Sequence, residues 1–513
     1  YVRSVNGQPA LTGKATVALG ISKGGVGRGM VFKGRTVLAF VLLSMFASSI
    51  MTLTIVNPSI FAAVKNGNGA AAADAKSGLT SKDINKLATT YQLINGKYLN
   101  EVDHEKIVNG AINGMLATLE DPFTVYMDQN EAKQFDENIT SSFQGIGAEV
   151  TSEDGKVTIV TPIKGSPAEK AGLHANDVIV SVNGEKLDGL TLNQAIMKIR
   201  GPKGTQAKLE VARAGVSDPI QVIVVRDDID VETVFGEMLP GNIGKIEIRQ
   251  FSSNTSARFK EELAALESKG MKGLIIDVRN DPGGLLSAVV EIVEPFIPKG
   301  KTIVQIENRK GVREETKSEN GTGKNYPVSV LINKGSASAS EILAGALHDS
   351  VGSKLIGETT FGKGTVQVTF EQEMGDGSNI KMTVYKWLTP NGTWIHKKGI
   401  APDLAVEQPA YFKAAPLTKK ETLKPDSNNE DVKNLQVMLQ GLGLNPERTD
   451  GYYSDKTAQA VKTFQRSNGL PVTGEVDKET ANKLEKAILA AIRDPKNDLQ
   501  LKAAVEAMQQ AVK

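Results

Sequence analysis

Three short segments hold the residue types from which a hydrolytic site can be built. They are Arg279-Asn280-Asp281-Pro282-Gly283-Gly284, Asn333-Lys334-Gly335-Ser336-Ala337-Ser338-Ala339-Ser340-Glu341, and Thr360-Phe361-Gly362-Lys363-Gly364-Thr365-Val366-Gln367. A serine among small residues at the head of a helix lies near free backbone N–H groups, which can stabilise an oxyanion. Ser338-Ala339-Ser340-Glu341 equally fits the Ser-x-x-Glu pattern of a helix cap, and the residues alone leave Ser336, Ser338 and Ser340 as alternatives. A nucleophilic serine needs a base. The histidines are His104, His174, His348 and His396. His348 follows Ser338 by ten residues on the same expected helix, roughly 15 Å along the axis and beyond hydrogen-bond reach. His104 and His174 lie in other parts of the chain, and His396 stays open within the ordinary run Trp394 to Lys398. Lysine can replace histidine when burial keeps it neutral. Lys363 stands between two glycines and close to Phe361, where backbone can pack tightly around a desolvated amine.

The same stretch contains a near-miss. Gly357 to Lys363 matches the opening of a phosphate-binding loop, but Gly364 follows where that motif needs Ser or Thr for magnesium. Thr365 to Phe370 then reads as a strand, not a helix. No nucleotide, cofactor or metal is expected.

The elements around these loops predict how they meet. Gly273-Leu274-Ile275-Ile276-Asp277-Val278 and Val328-Ser329-Val330-Leu331-Ile332 read as buried strands, and Phe259, Leu263 and Leu266 mark a helix before the first. Residues 226–412 therefore alternate strand and helix, an α/β core in which sites gather at strand ends. Taken together, the three loops resemble the C-terminal processing, or tail-specific, serine protease family. Ser-Ala-Ser-Ala-Ser-Glu followed by Phe-Gly-Lys-Gly-Thr-Val-Gln is the specific pair, and Gly399-Ile400-Ala401-Pro402-Asp403 resembles the family's ending. The resemblance covers about 81–410. It implies that Ser338 is the nucleophile, that Lys363, 25 positions later, is the general base, and that Gln367 orients the lysine. It also implies backbone oxyanion donors at Ala339 and, in the Gly283-Gly284 turn, at Gly284.

Residues 138–225 alternate short strands and turns. Val157 to Val160 and Val178 to Val182 are strand-like, Asn183-Gly184 signals a tight turn, and Leu192, Ala195, Ile196 and Ile199 line one helix face. Phe143-Gln144-Gly145-Ile146-Gly147-Ala148 precedes them. This order resembles a PDZ domain, with Gly145, Ile146 and Gly147 as its carboxylate-binding loop, where converging N–H groups receive a peptide's C-terminus. The resemblance implies substrates with apolar C-termini and gating by this module. Arg200, at the end of the helix, is a candidate link to the core.

Past a polar linker at 413–428, Val432, Leu435, Met438, Leu439 and Leu442 form a helix face. A short repeat follows: Gly451 precedes Ser454 and Thr457, and Gly474 precedes Asp477 and Thr480, with Ser454 and Asp477 as helix caps. Ala458 to Gln465 with Gly469 to Gly474 resembles the three-helix peptidoglycan-binding domain, here 429–490, which implies cell-wall contact. A charged, helical tail covers 491–513.

At the other end, Thr36 to Val56 is 21 residues without a charge, enough helix to cross a bilayer. Arg3, Lys14, Lys23, Arg28, Lys33 and Arg35 precede it with no Asp or Glu, which puts 1–35 in the cytoplasm and the catalytic part outside. A cleaved signal peptide is the competing reading. The chain begins at Tyr1, and Met30 is a natural alternative start. A flexible tether covers 57–80. Helical spacing of Leu87, Tyr91, Ile94, Ile107, Ile112 and Leu116 across 81–137 suggests a packing segment or the seat of a homodimer.

The 513 residues exceed one hydrophobic core, so several domains are required. A net charge of +1 gives no reason to expect nucleic acid, and the absence of cysteine excludes disulfides and a thiol nucleophile. The sequence reads as an extracytoplasmic, cell-wall-associated serine endopeptidase. An inactive PDZ and peptidoglycan-binding scaffold is the alternative. Peptidoglycan hydrolysis lacks both a metal motif and an obvious carboxylate pair.

Overall fold

The computed structural model describes residues 78–513, apart from Asp154 and Lys164. The expected cytoplasmic segment 1–35, the apolar span 36–56 and nearly all of the tether 57–80 lie outside the described residues. Among the described residues no helix is long and apolar enough to cross a membrane.

Helices α1 (Ser81–Lys97) and α2 (His104–Ala117) begin at Thr80 and Asp103, whose side chains accept the N–H of Asp83 and Lys106. Those caps occupy donors that the helices cannot satisfy internally. Neither helix buries a side chain, and Leu87 and Leu93 remain exposed. Of the apolar residues whose spacing is legible in the sequence, Leu87 is exposed, and Tyr91, Ile94, Ile107, Ile112 and Leu116 are half-buried. β1 (Val125–Met127) and α3 (Gln129–Thr140) complete this segment.

The next module holds β2 (Ser142–Gly145), β3 (Ala148–Glu153), β4 (Lys156–Pro162), α4 (Pro167–Lys170), β5 (Val178–Val182), β6 (Glu185–Lys186), α5 (Leu192–Ile199), β7 (Gln206–Ala212), β8 (Ile220–Val225) and β9 (Asp227–Asp230). Its sheet runs β3-β4-β5-β7-β8, with β6 on β5, while β2 and β9 pair at the entry and exit. Asn183 and Gly184 both take positive φ, 53° and 86°, as the two-residue hairpin between β5 and β6 requires.

The α/β core holds β10 (Val234–Leu239), β11 (Ile243–Ile248), α6 (Thr255–Ser268), β12 (Gly273–Asp277), α7 (Leu286–Val293), β13 (Thr302–Asn308), β14 (Arg313–Lys317), β15 (Val328–Ile332), α8 (Ala339–Val351), β16 (Lys354–Gly357), β17 (Thr365–Thr369), α9 (Glu371–Met374), β18 (Asn379–Leu388) and β19 (Leu404–Ala405). One sheet runs β10-β11-β12-β15-β16-β19, parallel from β11 onward. A second runs β1-β18-β13-β14, with β17 also on β18. Every residue of β12 is buried, because its alternating side chains meet two different cores. Leu274 and Ile276 pack with α6, α7 and α8, and Ile275 faces the opposite side.

Helices α10 (Glu430–Gly441), α11 (Asp455–Ser467) and α12 (Lys478–Arg493) form the next unit, and α13 (Leu499–Ala511) ends the chain. One correction arises here. The stretch 413–428 is not a free linker. Leu417 and Leu423 are buried in the core of the helical unit, and Leu423 bridges Val476, so two apolar anchors outweigh the polar composition around them. The tail 491–513 is helical as expected, and it packs on the core. Leu501, Ala504 and Met508 cover Ile243, Ile275, Leu331 and Ile356 on the second face of the core sheet. The internal repeat has a physical basis too. Gln436 accepts from Gly451 N and donates to Thr457 Oγ1, and Gln465 accepts from Gly474 N and donates to Thr480 Oγ1, so each buried glutamine ties its loop to the next helix.

Candidate active site

Strands β12, β15 and β16 are adjacent and parallel, so the loops after them emerge at one end of the sheet. The middle loop distinguishes the three serines that the residues alone left open. Ser336 is fully buried, accepts Asn333 N and donates to Val278 O at 2.7 Å. Ser340 is fully buried and donates to Asp281 O at 2.9 Å. Both hydroxyls hold the serine loop against the glycine loop. Ser338 lies between them, half-buried, with φ 55° and ψ −110°, a backbone conformation that a non-glycine residue adopts only under constraint.

Glu341 supplies that constraint. Its side chain is fully buried and receives four donors: Ser338 N (2.9 Å) and Lys363 N (2.8 Å) on Oε2, and Thr360 Oγ1 (2.6 Å) and Gly362 N (2.7 Å) on Oε1. The amides of Gly362 and Lys363 are therefore turned toward a carboxylate, and β17 follows as a strand, which removes the phosphate-loop resemblance. Trp387 Nε1 donates to Lys363 O at 2.7 Å, so the backbone of Lys363 is fixed on both sides.

The Lys363 side chain is half-buried, with Nζ 4.8 Å from the centre of the Phe123 ring. Burial pushes its ammonium below the ordinary lysine value. Lys381 pushes the same way, and Asp121 and Glu341 oppose both. Among the described hydrogen bonds none joins Ser338 Oγ to Lys363 Nζ; such bonds are often long without substrate and tighten around it. Gln367 Nε2 donates to Thr365 Oγ1 and Thr383 Oγ1, at 3.1 and 3.0 Å. His396 stacks on Trp394, and its Nδ1 accepts Gly364 N at 3.4 Å, a place beside the lysine loop.

Ala339 is the first residue of α8, so its N–H has no partner within the helix. Gly283 N is committed to Asp281 Oδ1 at 2.8 Å, which leaves Gly284 N as the donor of that turn. Gly284 has φ 146°, and a Cβ there would run into Phe251 O. Asp281 itself is fully buried with Oδ2 unpaired, and burial pushes its carboxyl up to about 8 against the pull of the Gly283 amide. Arg279, at the start of the same loop, pairs with Asp277 at 2.7 Å and with Asp498 of the tail at 2.8 Å.

Residues 242–406 match peptidase family S41, 50–131 the activating protease CtpB N-terminal domain, 158–213 a PDZ domain and 428–484 a peptidoglycan-binding domain. The chain is 50% identical over 430 residues to the carboxy-terminal processing protease CtpB of Bacillus subtilis strain 168, covering 83% of this chain and 89% of that protein. This chain belongs to peptidase family S41. A second relative, the carboxy-terminal processing protease CtpA of the same strain, is 43% identical over 459 residues, covering 90% of this chain and 97% of its own length. As a member of this family the chain is a serine-type peptidase with PDZ and peptidoglycan-binding modules.

Within this S41 peptidase, the Gly145–Gly147 loop is held from below. Ala168 N donates to Ile146 O at 2.7 Å, Ile163 N and Ser166 Oγ donate to Gly147 O, and the Ile146 side chain sits in the PDZ core. Strand β3 lies at the sheet edge, the position where a peptide adds as a strand. Arg200 does not reach the core directly. Its Nη1 pairs with Glu137 of α3 at 2.7 Å, and its guanidinium lies 4.4 Å from the Phe143 ring. Helix α3 continues the link, since Gln250 Nε2 donates to Asn138 O and Ser253 N to Ile139 O.

Sequence reasoning saw Glu341 only as a cap, and it missed Phe123, Asp121, Lys381, Asp281 and the Arg279–Asp498 pair. Aspartate at 121 and phenylalanine at 123 carry no local sign of contact with a lysine 240 positions away.

Proposed function

We propose that the chain is an endopeptidase in which Ser338 attacks and Lys363 acts as general base. The observation that carries this reading is the shared carboxylate oxygen of Glu341, which fixes the backbone of both residues at one point. Ser338 Oγ attacks a peptide carbonyl while neutral Lys363 takes its proton and later returns it to the leaving amine. Water then hydrolyses the acyl-enzyme. The N–H groups of Ala339 and Gly284 receive the oxyanion. The PDZ module delivers substrates by an apolar C-terminus bound beside Gly145, Ile146 and Gly147. The span 36–56 anchors the enzyme in a bacterial membrane, with residues beyond it outside and the helical unit on peptidoglycan.

The full chain is incubated with an unfolded protein ending in apolar residues, and cleavage is followed by mass spectrometry. Wild type cuts, and Ser338→Ala and Lys363→Ala each lose at least about 10³-fold while their circular dichroism is unchanged. Retained cleavage by Lys363→Ala transfers the base role to another group such as His396. Wild type that stays silent, even with PDZ-binding peptides, supports the inactive scaffold instead. Protease shaving of intact cells tests the outward orientation.

A further inference from the structure

The aromatic ring over the Lys363 amine does not come from the protease core. It is Phe123, which stands just before β1 in the N-terminal helical segment. Its position is fixed by a local turn and by the core sheet. The Asp121 carboxylate accepts Phe123 N at 3.1 Å and Thr124 Oγ1 at 2.7 Å. Thr124 is buried and its Oγ1 accepts Thr383 N at 3.1 Å. The next residue, Val125, pairs with Lys381 as β1 joins β18. On the far side of β18, Gln367 lies opposite Thr383 and donates to its hydroxyl. Asp121, Thr124, Thr383 and Gln367 thus form one hydrogen-bonded chain that fixes Phe123 beside the lysine.

We infer that Phe123 is a positioning residue for the reaction: the N-terminal segment supplies the apolar wall that keeps water from the Lys363 amine and holds it at the site. This rests on Lys363 being the base. An aromatic face has two opposing effects on an amine. Excluding water disfavours the ammonium, and the ring's electron-rich face attracts it. Burial is the leading influence on Lys363 and lowers its proton affinity, and the Phe123 ring, 4.8 Å from the amine, is part of what covers it. The charged groups facing this amine are Lys381 on β18, Asp121 before β1 and Glu341 on α8; His396 acts on Asp121 in turn.

Two substitutions separate the effects. Phe123→Ala opens the wall to water, and Phe123→Leu keeps an apolar wall without the aromatic face. Both are made in the full chain, and the labelling rate of Ser338 by a fluorophosphonate is measured against pH, which avoids dependence on PDZ-bound substrate. Phe123→Ala moves the acid limb of the profile up by about one pH unit, which costs about tenfold in rate below that limb. Phe123→Leu leaves the limb in place or moves it slightly down. A Phe123→Ala profile that overlays wild type overturns the inference, as does a uniform loss at every pH in both variants with a lowered Tm. Lys363→Ala is run alongside. If it labels like wild type, the base assignment itself fails, and if it is silent while Phe123→Ala overlays wild type, only the role of Phe123 fails.

Discussion

Glu341 Oε2 accepts the backbone N–H of Lys363 at 2.8 Å, and the same oxygen accepts that of Ser338 at 2.9 Å. One atom therefore sets the relative position of two loops that leave different strands. Glu341→Gln keeps the shape but turns an NH₂ group toward two of the four donors. A buried donor left without an acceptor costs about 1–3 kcal/mol. The expected outcome is a fall in kcat/KM of about 10–100-fold and a lower Tm. Loss of the charge also removes one influence that favours the Lys363 ammonium, so the acid limb of the pH–rate profile moves to lower pH. Steady-state kinetics across pH, with a thermal melt at each pH, checks both parts.

Asp281 predicts a pH dependence of stability. Its folded carboxyl titrates at about 8, against about 3.9 in an unfolded chain. Below both values the carboxyl is neutral in either state and nothing is lost. As pH rises from about 4 to about 8, the unfolded chain releases the proton and the folded one retains it. Stability then declines by at most about 1.4 kcal/mol per unit and levels off above about 8. Asp281→Asn retains an acceptor for Gly283 N and removes the titration. Its Tm should exceed wild type by a margin that widens over that window, as differential scanning calorimetry at several pH values would reveal. A constant margin contradicts the assignment.

The tail helix yields a third prediction. Ending the chain at Asp494 strips Leu501, Ala504 and Met508 from the sheet and removes the Asp498 partner of Arg279. Burying one large apolar side chain is worth about 1.5–3 kcal/mol, so a loss of several kcal/mol is expected, with aggregation through the uncovered Ile243, Ile275, Leu331 and Ile356. Asp498→Asn in the full chain isolates the ionic part, because the amide oxygen still accepts Leu501 N at the head of α13. Arg279 keeps Asp277 at 2.7 Å, so Tm falls by only a few degrees, and peptidase activity falls more because Arg279 begins the loop that carries Gly284. Urea melts and activity on the same samples check this.

Much of the site was legible because its chemistry sits in contiguous loops. The serine loop, the Phe-Gly-Lys-Gly run and the Asn183-Gly184 turn each depend on neighbours within a few positions. Glu341 was read only in part for the same reason: it does cap Ser338 N, and nothing nearby tells that Thr360, Gly362 and Lys363 converge on the same carboxylate. Phe123, Asp498 and Leu423 escaped because their partners lie far along the chain. Polar flanks hid Leu417 and Leu423, although two leucines in a polar stretch are the usual trace of a strand or loop anchored in a core. The hydrogen bonds of Gln367 Nε2, to Thr365 and Thr383, carry no sign in the sequence either.

The placement of α13 also sets the order in which the molecule can mature. Strands β11, β12, β15 and β16 are complete well before the last residues are made, yet one side of their sheet stays bare until Leu501 to Met508 arrive. The PDZ and three-helix units each have a core of their own and need not wait. A chain interrupted between α12 and α13 therefore keeps both recognition modules, each with its own core, and lacks the cover that finishes the cutting module.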